Sequence, residues 1–218
     1  MSLSSRKHTG SFLSLEYIYG TLSNSGGEDP LDFPTLLADP AEFKIIASNA
    51  ETGEKKIFDK GDMAQDDYRI LMASSCVPVA AEPIEIGGSF YFDGALSDPV
   101  PIQQAFDAGC DRIVLVLTKP LDYVRKQGKD KPLARAIRHR YPLAAENLLR
   151  RAERYNAGVA LAKKSAAEGK VLILAPDSTC GLDTLKRDAA AFDAMYEKGL
   201  QDGQAVKAWL ESHAAGAD

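Results

Sequence analysis

Residues 112–118 read Arg-Ile-Val-Leu-Val-Leu-Thr, five apolar residues in unbroken succession. An antiparallel strand with one wet face alternates apolar and polar side chains. This run does not alternate, so it predicts a parallel strand covered on both faces. Parallel strands need a long crossover between them, usually a helix. A second strand-sized run, Val171-Leu-Ile-Leu174, follows a helical region from about Pro132 to Ala167 that is interrupted near Pro142. Helix, apolar strand and helix in alternation predict an α/β fold, with a mixed sheet flanked by helices. At 218 residues the chain is long enough for one real core.

Upstream the patterns are shorter. Phe12, Leu15, Ile18 and Leu22 have helical spacing, and Ser23-Asn-Ser-Gly-Gly27 stops them. Pro30 to Pro40 is rich in turn residues, with room for a short helix around Thr35-Leu-Leu37. Phe43 to Asn49 reads as a strand, Glu51-Thr-Gly53 as a turn and Lys56-Ile-Phe58 as the returning strand of a hairpin. Ala64, Tyr68, Leu71 and Met72 mark a helix that Pro78 closes. Ile84-Glu-Ile86, Gly87-Gly88 and Phe90-Tyr-Phe92 form a second strand pair. Pro101 suits the first turn of a helix to about Gly109, with Asp98 as its cap. At the end, Leu185, Ala189, Phe192 and Tyr196 share a helical face, and a further helical piece holds Val206, Trp209 and Leu210.

Composition excludes several classes. Hydrophobic residues make up 45% and charged residues 26%, as in ordinary globular domains, and a net charge of −5 is no global nucleic-acid footprint. Cys76, Cys110 and Cys180 lie far apart with no CxxC, which points to reduced thiols and not to a zinc site or a disulfide framework. The longest apolar runs are strand-sized, so no transmembrane helix is expected. The opening Met1-Ser-Leu-Ser-Ser-Arg-Lys-His8 has no apolar stretch of a signal peptide, and Met1 to Leu3 read as lying outside the fold. A cytoplasmic location is the expectation.

The position with the most chemical content is Asp93, in Gly88-Ser-Phe-Tyr-Phe-Asp-Gly-Ala95. It stands where a short apolar strand stops, and Gly94 and Ala95 let backbone approach closely. Enzymes of the α/β class place bases at such strand ends. Asp-Gly after a strand is equally a common turn. No partner for a base is evident. The chain has no G-x-S-x-G elbow, and Ser23 to Gly27 follows a helix instead of a strand. His8, His139 and His213 are poorly suited to a triad, His139 because Arg138 and Arg140 flank it. No His, Cys or carboxylate cluster has metal-ligand spacing, and no glycine fingerprint for a nucleotide is present.

Several segments occur in a telling order: Ile45 to Glu54 with its E-T-G turn, Ala73-Ser-Ser-Cys-Val-Pro78, Gly88 to Ala95, Asp98-Pro-Val-Pro101, and Ala108-Gly-Cys-Asp-Arg-Ile-Val-Leu-Val116. In that order they resemble the patatin-like phospholipase family, well over about residues 10–120 and loosely over 121–218, a helical extension with one further strand. The resemblance implies a three-layer fold and a Ser-Asp dyad that hydrolyses lipid or other acyl esters without metal or cofactor. Only the aspartate of that dyad has a counterpart here. It is Asp93, the proton acceptor, with Gly94 and Ala95 completing the family's D-G-G/A motif. The family's nucleophile serine and its glycine loop precede the segments found here. The expectation is therefore that residues 4–218 form the C-terminal portion of a patatin-like domain, partial, lacking the nucleophile-bearing strands and inactive alone. Such a portion would associate with the missing N-terminal half or with itself. Ser74 and Ser75 are expected to fill and cap a helix end, not to attack.

One stretch departs from the acidic average. Between Lys119 and Arg140 stand eight Lys or Arg against Asp122 and Asp130, and Arg150, Arg151 and Arg154 extend it. A solvated helix face is the plain reading. Peripheral contact of Lys119–Arg154 with anionic lipid headgroups or a protein partner is the alternative, and it makes the chain a non-catalytic binding module. Nucleic acid is disfavoured because aromatic residues are thin there.

Overall fold

The computed structural model describes residues 14–179 and 188–214, the last two by backbone alone. His8, Phe12, Cys180 and Leu185 lie outside those residues, as does the His213 side chain. The chain divides into two compact units, residues 14–99 with 126–155 and residues 100–125 with 156–179 and 188–214. The fold is α/β, with antiparallel and parallel strand pairs flanked by helices.

The first unit opens with α1 (Leu15–Tyr17), which continues as a π-turn over Ile18–Leu22. Asp32 caps α2 (Phe33–Ala38) by accepting the Thr35 N–H. Strands β1 (Lys44–Asn49) and β2 (Lys55–Asp59) form the expected hairpin, with Ile46 opposite Ile57. Its turn is built by Asn49, whose Oδ1 accepts the N–H groups of Glu51 and Thr52, and by Gly53 at φ +69°. Helix α3 (Arg69–Ser74) is shorter than the apolar spacing implied. Asp66 sits at φ +63°, a left-handed conformation that no helix accommodates, so Ala64 forms an isolated bridge to Asp67 instead.

β3 (Ile84–Ile86) and β4 (Ser89–Asp93) pair through Gly87 and Gly88, both at positive φ as a tight hairpin turn requires. The sheet order is β2-β1-β4-β3, wholly antiparallel, with β4 inside it. On one side of β4 the Tyr91 ring meets Phe58 edge-on at 5.3 Å. On the other, Phe92 meets Tyr141 at 5.3 Å and 88°. Tyr141 immediately precedes α6 (Pro142–Ala167), itself preceded by α5 (Lys131–Ile137). The α6 residues Ala144, Ala145 and Leu148 are buried in the same cluster as Phe92 and Leu96. Full burial of a side chain such as Phe92 contributes about 3 kcal/mol.

In the second unit α4 (Ile102–Asp107) leads to β5 (Ile113–Val116), which pairs in parallel with β6 (Val171–Leu174) from Ile113↔Val171 onward. The crossover runs through α6, whose Ala162 packs with Ile102 and Val171. Helix α7 (Ala189–Ala214) follows. Two expectations are corrected here. β5 is not buried on both faces: it is partly buried, and Val116 is 68% exposed, because among the described residues only β6 flanks it. The chain end is one helix, and its face bearing Phe192 and Tyr196 is solvent-facing while Ala191 is buried.

Candidate active site

Asp93 is the last residue of β4, paired with Ala47 across the sheet. Its main chain is held from two directions. Its N–H donates to Cys76 O at 2.9 Å, and its carbonyl accepts from Ser48 Oγ at 3.0 Å. The carboxylate caps a single 3-10 turn over Gly94–Leu96, with Oδ1 accepting the Ala95 N–H at 2.8 Å. The second carboxylate oxygen takes no hydrogen bond from the described residues. Burial raises the proton affinity of Asp93 above the usual carboxylate range, while the Ala95 N–H and then the charge of Arg151 pull it back.

At position 94 the turn tolerates no side chain. A Cβ there would lie 2.2 Å from Ile46 O, inside any allowed contact. The same carbonyl accepts the Ser74 hydroxyl at 2.8 Å, and the Ser75 hydroxyl lies 2.9 Å from Tyr19 Oη. Both serines thus serve the packing between α1, α3 and β1. Asp98 does not cap a helix as expected. It pairs with Lys55 at 2.8 Å, and no side chain caps the start of α4. Cys76 is fully buried beside the site, its Sγ donating to Glu82 O at 3.0 Å. Burial first, then the charges of Asp93 and Glu82, push its thiol up to about 12, which leaves it unreactive. The exposed His139 is no part of this arrangement. Among the described residues no three metal-ligating side chains group together.

Three structural residues were not singled out by sequence. Ser48, wholly buried in β1, donates to Asp93 O and accepts the Ser97 N–H at 3.1 Å, which closes the loop that follows Asp93. Asn147 of α6 donates to Gly53 O at 2.5 Å. Arg154, two turns further along the same face, donates to Leu96 O at 2.8 Å and to Asn147 Oδ1 at 2.9 Å. One helix therefore ties the E-T-G turn to the D-G-A loop. Asn147 carried a faint signal, a lone amide among Ala144, Ala145, Leu148 and Ala152. Arg154 carried none, since it read as one more cation of the basic stretch.

That loop lies inside a recognisable stretch of sequence. Residues 5–106 match the family model described as patatin-like phospholipase. Over that stretch, just under half of the chain, the sequence is similar to the patatin-like phospholipase family. The family is one of lipid hydrolases, and the matched patatin-like stretch carries Asp93, Gly94 and Ala95. A second match, over residues 141–212, is to a domain of unknown function, DUF6363. It opens at Tyr141, the ring that packs on Phe92, and includes Asn147 and Arg154. The start of the uncharacterised segment thus supports the Asp93 loop of the patatin-like one.

Proposed function

We propose that Asp93 is the general base of a Ser-Asp dyad in a lipid acyl-ester hydrolase. The observation that carries this reading is a half-buried carboxylate with raised proton affinity and one oxygen left open, beside residues too small to block it. Perturbed carboxylates so placed are suited to proton transfer. A serine hydroxyl gives its proton to the open oxygen as its Oγ attacks the acyl carbonyl. The tetrahedral intermediate collapses, and protonated Asp93 returns the proton to the departing alcohol. Water then attacks the acyl-serine, again losing a proton to Asp93, and as the second intermediate collapses Asp93 returns that proton to the departing serine Oγ, releasing the carboxylic acid. No metal or cofactor enters these steps.

The described serines nearest the base are engaged elsewhere: Ser48 with Asp93 O and Ser97, Ser74 with Ile46 O, Ser75 with Tyr19. None donates to the Asp93 carboxylate. No serine of the 218 residues stands in a G-x-S-x-G, so the chain alone is expected to be inactive. Reading the coding sequence ahead of residue 1 for a glycine-rich loop and a G-x-S-x-G is the direct check. The protein expressed with that sequence should hydrolyse a p-nitrophenyl ester. Asp93→Asn should lower its kcat by about 100-fold or more. Undiminished activity in that variant overturns the role of Asp93. Esterase activity of the 218-residue chain that Asp93→Asn abolishes overturns its inactivity alone.

A further inference from the structure

The basic stretch does not form one surface. Arg154 is spent on Leu96 O and Asn147, Arg151 lies 3.8 Å from the largely buried Asp130, and Arg140 stacks over the Tyr141 ring and faces Glu82. Three cations are left together. Lys131, Arg135 and Arg138 recur at helical spacing along α5 and its C-cap, are exposed, and make no ion pair with the described residues. They border a shallow groove of about 600 Å³ whose far wall is Pro142, Ala145 and Leu149 of α6. The buried Ala134 floors it, and Glu146 is its single acid.

We propose that this groove docks on the surface of an anionic phospholipid bilayer. The chain as a whole carries −5, so a cluster of three unpaired cations is a local inversion of sign. Cations over an aliphatic floor match lipid phosphates over the upper acyl region. No aromatic ring lines the groove, so unstacked bases would find no platform. Contact is at the surface only, because no helix among the described residues is long and apolar enough to cross a membrane. The proposal stands on α5 and α6 alone and survives if Asp93 is not a base.

The test is co-sedimentation of the 218-residue chain with phosphatidylglycerol–phosphatidylcholine vesicles and with phosphatidylcholine vesicles alone. Binding to the anionic vesicles is expected at low salt, and release at about 1 M salt, where the Debye length is about 3 Å. Each basic residue near an anionic surface changes partitioning about fivefold. Arg135→Gln with Arg138→Gln should therefore lower it about 25-fold. Lys163→Gln with Lys164→Gln, the same charge change on exposed residues away from the groove, should leave it close to wild type. Circular dichroism checks that both variants fold. Binding that is absent, that falls equally in both variants, or that a single-stranded RNA oligomer displaces at lower concentration than anionic vesicles do, overturns the proposal.

Discussion

Two aspartates in the first unit face opposite electrostatic fates. Asp66 accepts from Gln65 Nε2 at 2.9 Å and from both Ser25 N and Ser25 Oγ at 2.7 Å, on an exposed turn. The Gln65 bond first, then those from Ser25, hold its carboxyl below the ordinary range. Asp93 accepts one backbone N–H, and burial raises it. By distance alone Asp66 is the better dyad, since it already has a serine hydroxyl. By chemistry it is the poorer base, because every bond that stabilises the carboxylate lowers its appetite for a proton. A serine beside an aspartate is thus no evidence of a nucleophile. What the carboxylate lacks matters more than what it touches.

The comparison extends to the loops that carry them, and mutation tests it most strongly at the glycines. Gly94→Ala forces a Cβ into Ile46 O. It should cost about 3 kcal/mol, read as a lowered urea midpoint. Gly26→Ala, in the loop that serves Asp66, meets nothing within 4 Å and should change stability by no more than about 0.5 kcal/mol. Equal effects would mean that the Asp93 turn is no more constrained than an ordinary surface loop. Next in size is Arg154→Ala, which removes charge-assisted bonds to Leu96 O and Asn147. A loss of about 2 kcal/mol is expected. Ser48→Ala removes the hydroxyl that donates to the Asp93 carbonyl and leaves the Ser97 N–H with Gly94 O alone. It should cost about 1.5 kcal/mol, while Ser25→Ala stays within about 0.5 kcal/mol. If Arg154→Ala is silent, α6 does not support the loop.

Much of this was legible in the sequence, and what was missed has a physical pattern. The two hairpins followed from local signals, the E-T-G turn and the Gly87-Gly88 pair between apolar runs. Asp93 stood out because a glycine and an alanine follow it at a strand end. Local signals misled where distant contacts decide. The helix spacing at Ala64 was overridden by Asp66, held in its turn by Ser25 from 41 positions away. Five apolar residues implied two covered faces for β5, but composition does not record how many neighbours a strand has. Arg154 and Lys131 are both cations in one stretch, yet one is turned in to a carbonyl and the other out to solvent. Only the packing of α6 separates them.

The smallest effects are the most diagnostic, because they differ in sign. Asp93 binds its proton more tightly when folded, so its ionisation costs stability as pH rises through the raised folded value. Asparagine carries no charge to bury. Asp93→Asn should therefore be more stable than wild type near pH 7, and the gap should close as pH falls toward the ordinary aspartate value of about 3.9. Asp66 binds its proton less tightly when folded, so its contribution is present above the ordinary value and is lost as pH falls through the lowered one. Asp66→Asn should be less stable than wild type near pH 7, and that gap should also close on acidification. Urea midpoints of the three proteins across this pH range give the answer. Shifts of the same sign would erase the distinction between the two carboxylates. Opposite signs would mark Asp93 as a group whose charge is held against the stability of the fold, as expected of a base kept for chemistry.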